Sequence, residues 1–154
     1  MMRIGLVSDS HGSPASVRRA LHALGYVHLL VHLGDGAGDA DGCEPRLIQI
    51  KGNCDILSSL PREKIEMLEG NTAALFCHGD AWNVKWGLDR LSYHAQQVGV
   101  QVACFGHTHQ SLVDHDGHVL LVNPGSCRGY DATCALLEVD RGVIRPKIIR
   151  LNNA

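Results

Sequence analysis

Five times between residues 4 and 109 a short apolar run stops at a small cluster of Asp, Asn or His. The clusters are Asp9-x-His11, Gly34-Asp35, Gly52-Asn53, His78-Gly79 and Gly106-His107-x-His109. Short apolar runs bounded by turn formers read as buried strands rather than helices. Laid side by side in an open α/β sheet, strands bring their carboxyl-terminal loops to one crevice, which is where such sheets bind ligands. Four of the five clusters hold a glycine next to the polar residue, so the backbone there can turn sharply and approach closely. Any one cluster is ordinary turn chemistry. The coincidence of five is the signal.

The intervening segments set the fold class. Residues 3–7 form the first strand. Ser13-Pro14 reads as an N-cap with proline at the first helical position. Val17, Ala20, Leu21 and Leu24 follow at helical spacing, and Gly25 closes the helix. Residues 27–33 and 47–50 are strands separated by a glycine- and aspartate-rich loop over 36–45. Residues 63–68 and 72–77 read as a hairpin. A helix is expected over 84–98 and a strand over 100–105. Asp116-Gly117 joins residues 112–113 to 119–122 in a second hairpin, and strands over 133–139 and 143–151 end the pattern. Strands outnumber helices, and hairpins follow an opening strand–helix–strand unit. One mixed α/β domain over 1–154, with two packed sheets, fits this order better than an alternating doubly wound fold.

Composition removes several classes. Hydrophobic residues make up 45% of the chain and charged residues 19%, the balance of a globular protein. No apolar run approaches the roughly 18 residues that cross a bilayer. The N-terminal segment turns polar after Val7, short of a signal-peptide core, so a cytoplasmic location is expected. Fourteen basic against sixteen acidic side chains make no bulk electrostatic case for nucleic acid or an anionic membrane. Six cysteines without a C-x-x-C pair are expected to be reduced and mostly structural.

The cluster residues are two carboxylates, one amide and four imidazoles. Such oxygen and nitrogen donors suit Mn, Fe, Ni, Co or Zn rather than calcium. Seven ligands exceed one ordinary site but fit two sites that share a carboxylate. Two divalent ions bring +4 and two aspartates return −2, which leaves charge to hold a hydroxide and an anionic phosphate.

In this order, D-x-H, GD, GN, HG and GHTH resemble the calcineurin-like metallophosphoesterase superfamily. The short chain, Gly52-Asn53-Cys54-Asp55 and Asn123-Pro124-Gly125-Ser126 resemble its small single-domain phosphodiesterases of bacteria and archaea. The resemblance implies a two-sheet αββα sandwich of the metallo-dependent phosphatase fold. It implies a first metal ion on Asp9, His11 and His109, a second on Asn53, His78 and His107, and Asp35 between them. Asp35, Asn53 and His78 count among the catalytic residues as well as the ligands. The implied reaction is two-metal hydrolysis of a small phosphodiester by a bridging hydroxide, in a homo-oligomer of two or more chains. Two other readings use the same fold: a non-catalytic interaction scaffold, as in a retromer subunit, and a phosphomonoesterase or nuclease with the same metals.

Other residues stay open between roles. His32 is either a support for the site or a core histidine. His115 and His118 reach the site only if their hairpin turn folds over it. Trp82 and Trp86 either anchor the following helix or wall a substrate group. Where many superfamily members carry histidine after the metal-binding asparagine, this chain has Cys54, and Asp80 replaces another histidine beyond His78-Gly79.

Overall fold

Period-two alternation along the strands divides their side chains among three apolar layers. The computed structural model describes residues 1–151. In chain order its strands are β1 (Met2–Val7), β2 (Leu29–His32), β3 (Arg46–Gln49), β4 (Glu63–Met67), β5 (Ala73–Cys77), β6 (Val102–Cys104), β7 (Leu112–His115), β8 (Leu120–Asn123), β9 (Thr133–Asp140) and β10 (Val143–Arg150). They form two five-stranded sheets, ordered β10-β9-β1-β2-β3 and β4-β5-β6-β8-β7. In the first sheet β1, β2 and β3 run parallel, and β9 joins β1 and β10 antiparallel. In the second, β5, β6 and β8 run parallel, with β4 and β7 antiparallel at the edges.

The middle layer lies between the sheets. Ile4, Leu6, Leu29 and Val31 meet Ala74, Phe76, Val102 and Cys104 there, all fully buried. The outer faces are covered by two helices, α1 (Pro14–Leu24) and α2 (Asp89–Val98). Val17, Ala20 and Leu24 of α1 pack with Val7, Leu30 and Leu136. Leu91 and Ala95 of α2 pack with Leu75, Ala103 and Leu121. The architecture is the expected αββα sandwich. At Gly5 an added Cβ would stand 2.7 Å from Leu24 Cδ1, so the bare β1 backbone lets α1 lie close to the sheet.

Two local expectations change. The helix expected over 84–98 begins at Asp89, because Asn83 (φ 53°) and Gly87 (φ 145°) leave the right-handed helical region. A 3-10 turn at Asp80–Trp82 takes up the segment before it. The loop over 36–45 contains a second such turn, Ala37–Ala40. The six cysteines are free thiols, and Cys77, Cys104, Cys127 and Cys134 are buried. Among the described residues, no helix is long and apolar enough to cross a membrane.

Candidate metal centre

The five clusters converge at the carboxyl ends of β1, β2, β3, β5 and β6, and the chain turns at the polar residues themselves. Eight described non-glycine residues have positive φ, and five of them are Asp9, His11, Asp35, His107 and His109. Such backbone is costly for a residue with a Cβ and persists only where its surroundings hold it. Here the loops hold one another. Asp9 N–H donates to Gly34 O at 2.9 Å and His11 N–H to Asp35 O at 3.0 Å. His107 N–H donates to Asp9 Oδ2 at 3.1 Å. Close approach also demands glycine. A Cβ on Gly52 would run into Asp35, and one on Gly106 into Ser8 Oγ and Asp9 Oδ2.

Two groups of donors result: Asp9 with His11 and His109, and Asp35 with His78 and His107. Within each, the candidate donor atoms lie within 4.8 Å of one another. Asp9 Oδ1 lies 3.2 Å from His109 Nε2, 3.7 Å from His11 Nε2 and 3.9 Å from His78 Nε2. Asp35 Oδ2 lies 3.2 Å from His78 Nε2, which is 3.2 Å from His107 Nδ1. The groups therefore adjoin, and a third grouping of His11, Asp35 and Cys54 links them.

Asp9 decides whether a cation fits. Its side chain is fully buried; Oδ2 accepts from Ser8 Oγ at 2.5 Å and from His107 N–H, while Oδ1 has no hydrogen-bond partner. A buried carboxylate oxygen without a donor is expensive. Imidazole nitrogens converge on that oxygen, and a divalent ion among them would satisfy all these donors together. The residues fit a metal.

Electrostatics fits too. Burial works against the Asp35 charge, but the hydrogen bonds from His78 and from Cys54 N–H, the latter at 2.8 Å, outweigh it and hold its carboxyl well below the usual range. Burial opposes protonation of His78, yet Asp35 and Asp9 raise its pKa. Burial and then the neighbouring His78 and Lys85 lower that of His107. His78 Nδ1 lies 2.8 Å from Leu33 O, which can only accept, so Nδ1 carries a proton. Nε2, the nitrogen facing the carboxylates, is the one at which a metal ion would take the place of the proton shared with Asp35.

Asn53 sits in the same loop, between Gly52 and Cys54, both of which touch Asp35. Its side chain is exposed, with Nδ2 3.7 Å from Cys54 Sγ. The structure thus brings Asn53 to the site's edge, with less definition than the carboxylates and imidazoles. Burial and then the Asp35 charge push the Cys54 thiol up. The sequence shows Asp55 only as part of the Gly52-Asn53-Cys54-Asp55 segment, and its role escaped the sequence reading. Its carboxylate accepts the N–H groups of Asp35, Gly36 and Gly52 at 2.8–2.9 Å and so shapes the loops that carry Asp35 and Asn53. The available signal was its place beside a Gly-Asn turn, where aspartate caps backbone amides.

His32 is a support. Its Nδ1 accepts from Gly34 N–H at 3.1 Å, leaving Nε2–H to meet Ser10 Oγ at 2.8 Å. Ser10 Oγ in turn lies 2.6 Å from Asp39 Oδ2, which also accepts from Gly12 and Ser13 N–H. Burial lowers the His32 pKa to about 4. The His115–His118 turn docks on α2 through Ser92 and Asp116, not over the centre. Trp82 stacks on His94 at 4.0 Å, as an anchor would, whereas Trp86 is 92% exposed. A groove of about 990 Å³ opens from His109 toward Tyr130 and Arg150.

The fold and site define an α/β sandwich with a carboxylate–histidine centre at its strand ends. The chain belongs to the calcineurin-like phosphoesterase superfamily, whose domain matches residues 2–142. It is 31% identical over 130 residues to the probable metallophosphoesterase YsnB of Bacillus subtilis, covering 82% of this chain and 76% of that one. It is 25% identical over 143 residues to a phosphodiesterase of Methanocaldococcus jannaschii, covering 84% and 86%. Among solved structures, zinc-complexed Vps29 of Entamoeba histolytica superposes with a TM-score of 0.76 over 98% of this chain and 100% of that one. At 17% identity, that likeness is one of fold.

Proposed function

We propose that this protein is a metal-dependent phosphodiesterase working through a dinuclear centre. The observation that carries the reading is the unpartnered, buried Asp9 Oδ1 among imidazoles, beside a second carboxylate–imidazole group around Asp35. Asp9, His11 and His109 would hold one ion, Asn53, His78 and His107 the other, and Asp35 both. The donor set suits Mn, Fe, Ni, Co or Zn. Bound there, such ions polarise phosphoryl oxygens and make water nucleophilic at neutral pH.

The chain's own residues prepare that chemistry. Asp35 stays ionised, and the Leu33 carbonyl aims the His78 lone pair. The groove beside His109 offers room for one ester arm. Cys54 and Asp80 stand where the superfamily pattern that this chain resembles has histidines, and a thiol with a raised pKa is a poor proton donor near neutral pH. Diesters with acidic, aryl-type leaving groups are therefore the favoured class. Asp80 adds negative charge near His107 and disfavours dianionic monoesters. The M. jannaschii relative's name supports the diester assignment.

The test is metal analysis of the purified protein with a panel of phosphodiesters and phosphomonoesters in added Mn, Ni or Zn. Two ions per chain and aryl-diester turnover are expected, with Asp35→Ala losing more activity than His11→Ala. Metal binding without hydrolysis would instead select the scaffold reading. Monoester preference would overturn the diester assignment alone.

A further inference from the structure

We infer that β4 is a self-pairing edge through which two copies of this chain form a symmetric dimer with one continuous sheet. The proposal is independent of the metal centre. β4 is the outer strand of the second sheet, partnered by β5 on one side. Soluble proteins blunt such edges with charge or proline, because an open row of N–H and C=O groups invites pairing. This edge carries charge at Glu63, Lys64 and Glu66, but between and beside them stand two large apolar residues, Ile65 at 44% exposure and Met67 at 68%.

The hydrogen-bond phase of β4 follows from its end. Leu68 N–H donates to Thr72 O at 2.7 Å, so Leu68 faces β5. Antiparallel strands alternate between partners, so Glu66 and Lys64 also face β5. The N–H and C=O groups of Glu63, Ile65 and Met67 therefore point outward, in phase for a second strand.

The side chains then select the register. In an antiparallel pair with its two-fold axis at Ile65, Ile65 meets Ile65 of the second copy. Glu63 meets Met67, and Lys64 meets Glu66, in both directions. Each outward-pointing backbone group finds a partner, and opposite charges directly across are stabilising. Shifting the axis to Glu63 sets Glu63 against Glu63 and Lys64 against Arg62, like against like. Glu66 already pairs with Arg46 through Oε1 at 2.6 Å, leaving Oε2, which lies 3.8 Å from Lys64 of its own strand. In the dimer that ammonium and carboxylate also pair across the axis.

The apolar contact continues above the sheet. Ile65 and Met67 stand opposite Leu75 and Ala73, which belong to the layer beneath α2. His94 of α2 reaches Glu63 Oε2 at 3.0 Å, so its flank faces β4, and Val98 lies one helical turn further on at 37% exposure. Ile65 and Met67 thus present apolar surface on the edge, and Val98 adds exposed apolar surface on the α2 flank that faces β4. The self-complementary charge order EKIEM makes a second copy, rather than an unrelated strand, the occupant.

Sedimentation of the full chain from micromolar to millimolar concentration tests this. The wild type should dimerise. Lys64→Glu and Glu66→Lys should each lose dimerisation, since each places like charges across the axis. Mixed together, the two variants should regain a dimer, because both cross-strand pairs become opposite in sign. That recovery would also show that both variants are folded. Ile65→Pro should be monomeric while keeping its circular dichroism, because its N–H points away from β5. A wild type monomeric throughout, or a dimer that survives Lys64→Glu and Ile65→Pro, would overturn the proposal.

Discussion

The Asp55 carboxylate gathers three backbone N–H groups from the loops that carry Asp35 and Asn53. Asp55→Asn halves its acceptor capacity and puts an amide donor among these N–H groups. Residues that orient metal ligands typically contribute ~10–100-fold in metal affinity. Calorimetric titration of this variant should show a loss of that size with the fold retained; unchanged affinity would deny Asp55 the role. Gly106→Ala is the steric counterpart, since its methyl meets Ser8 Oγ and Asp9 Oδ2. It should weaken metal binding more than Gly117→Ala, whose Cβ meets nothing within 4 Å and whose strain, from a φ of 91°, stays in the β7–β8 turn. The same titration compares them. Asp9, His11, His78, His107 and His109 were legible as candidates only together, because five polar clusters that each close an apolar run share no bland explanation. The need for glycine at 106 was legible in outline, but the role of Asp55 was not, because it lies in what the folded chain places beside that carboxylate.

Among the elements, β2 and the loop between β1 and α1 are joined through His32, Ser10 and Asp39. His32 titrates near 4 in the fold against 6.5 when exposed, with burial the main cause. A lowered pKa means the unfolded chain binds the extra proton first. This term therefore destabilises progressively as pH falls from about 6.5 to 4 and is absent above that window. Its full size is on the order of 3 kcal/mol. Denaturant unfolding of His32→Gln without metal should show a smaller stability loss between pH 7 and pH 4 than the wild type. Equal slopes would mean that other histidines dominate. The sequence placed His32 inside a strand over 27–33 and left its role open; the structure ends β2 at His32. Only the approach of the Ser10 loop makes it a support.

On the scale of the molecule, the candidate ligands come from both sheets. Asp9, His11, Asp35 and Asn53 follow strands of the first, and His78, His107 and His109 follow strands of the second. A bound ion would therefore tie one sheet to the other. Ligands that bind only the native state stabilise it by about 3 kcal/mol at 100-fold excess over Kd. For a chain of this size that corresponds to a rise of roughly 5–10 °C in Tm. Thermal unfolding with and without chelator should show such a difference in the wild type and lose most of it in Asp9→Ala. A metal-independent Tm would argue against a cross-sheet ion.

Apolar periodicity and turn residues are local properties, and they alone determined most of the strands, α1, a mixed α/β domain with two packed sheets and the polar residues that end the runs. The αββα layering, by contrast, was implied by the family resemblance. Their limit appears at 84–98, where the amphipathic pattern extends through Gly87 but the helix starts at Asp89 because the backbone leaves helical φ. It appears again at Asn53, whose side chain remains exposed at the rim although its letter matches the motif. The left-handed backbone at Asp9, His11, Asp35, His107 and His109, the unpartnered Asp9 oxygen and the outward phase of β4 were decided by tertiary structure. These features depend on which atoms of distant segments come within hydrogen-bonding distance. A linear pattern records the order of residues along one strand, whereas those distances arise only when two sheets close on each other.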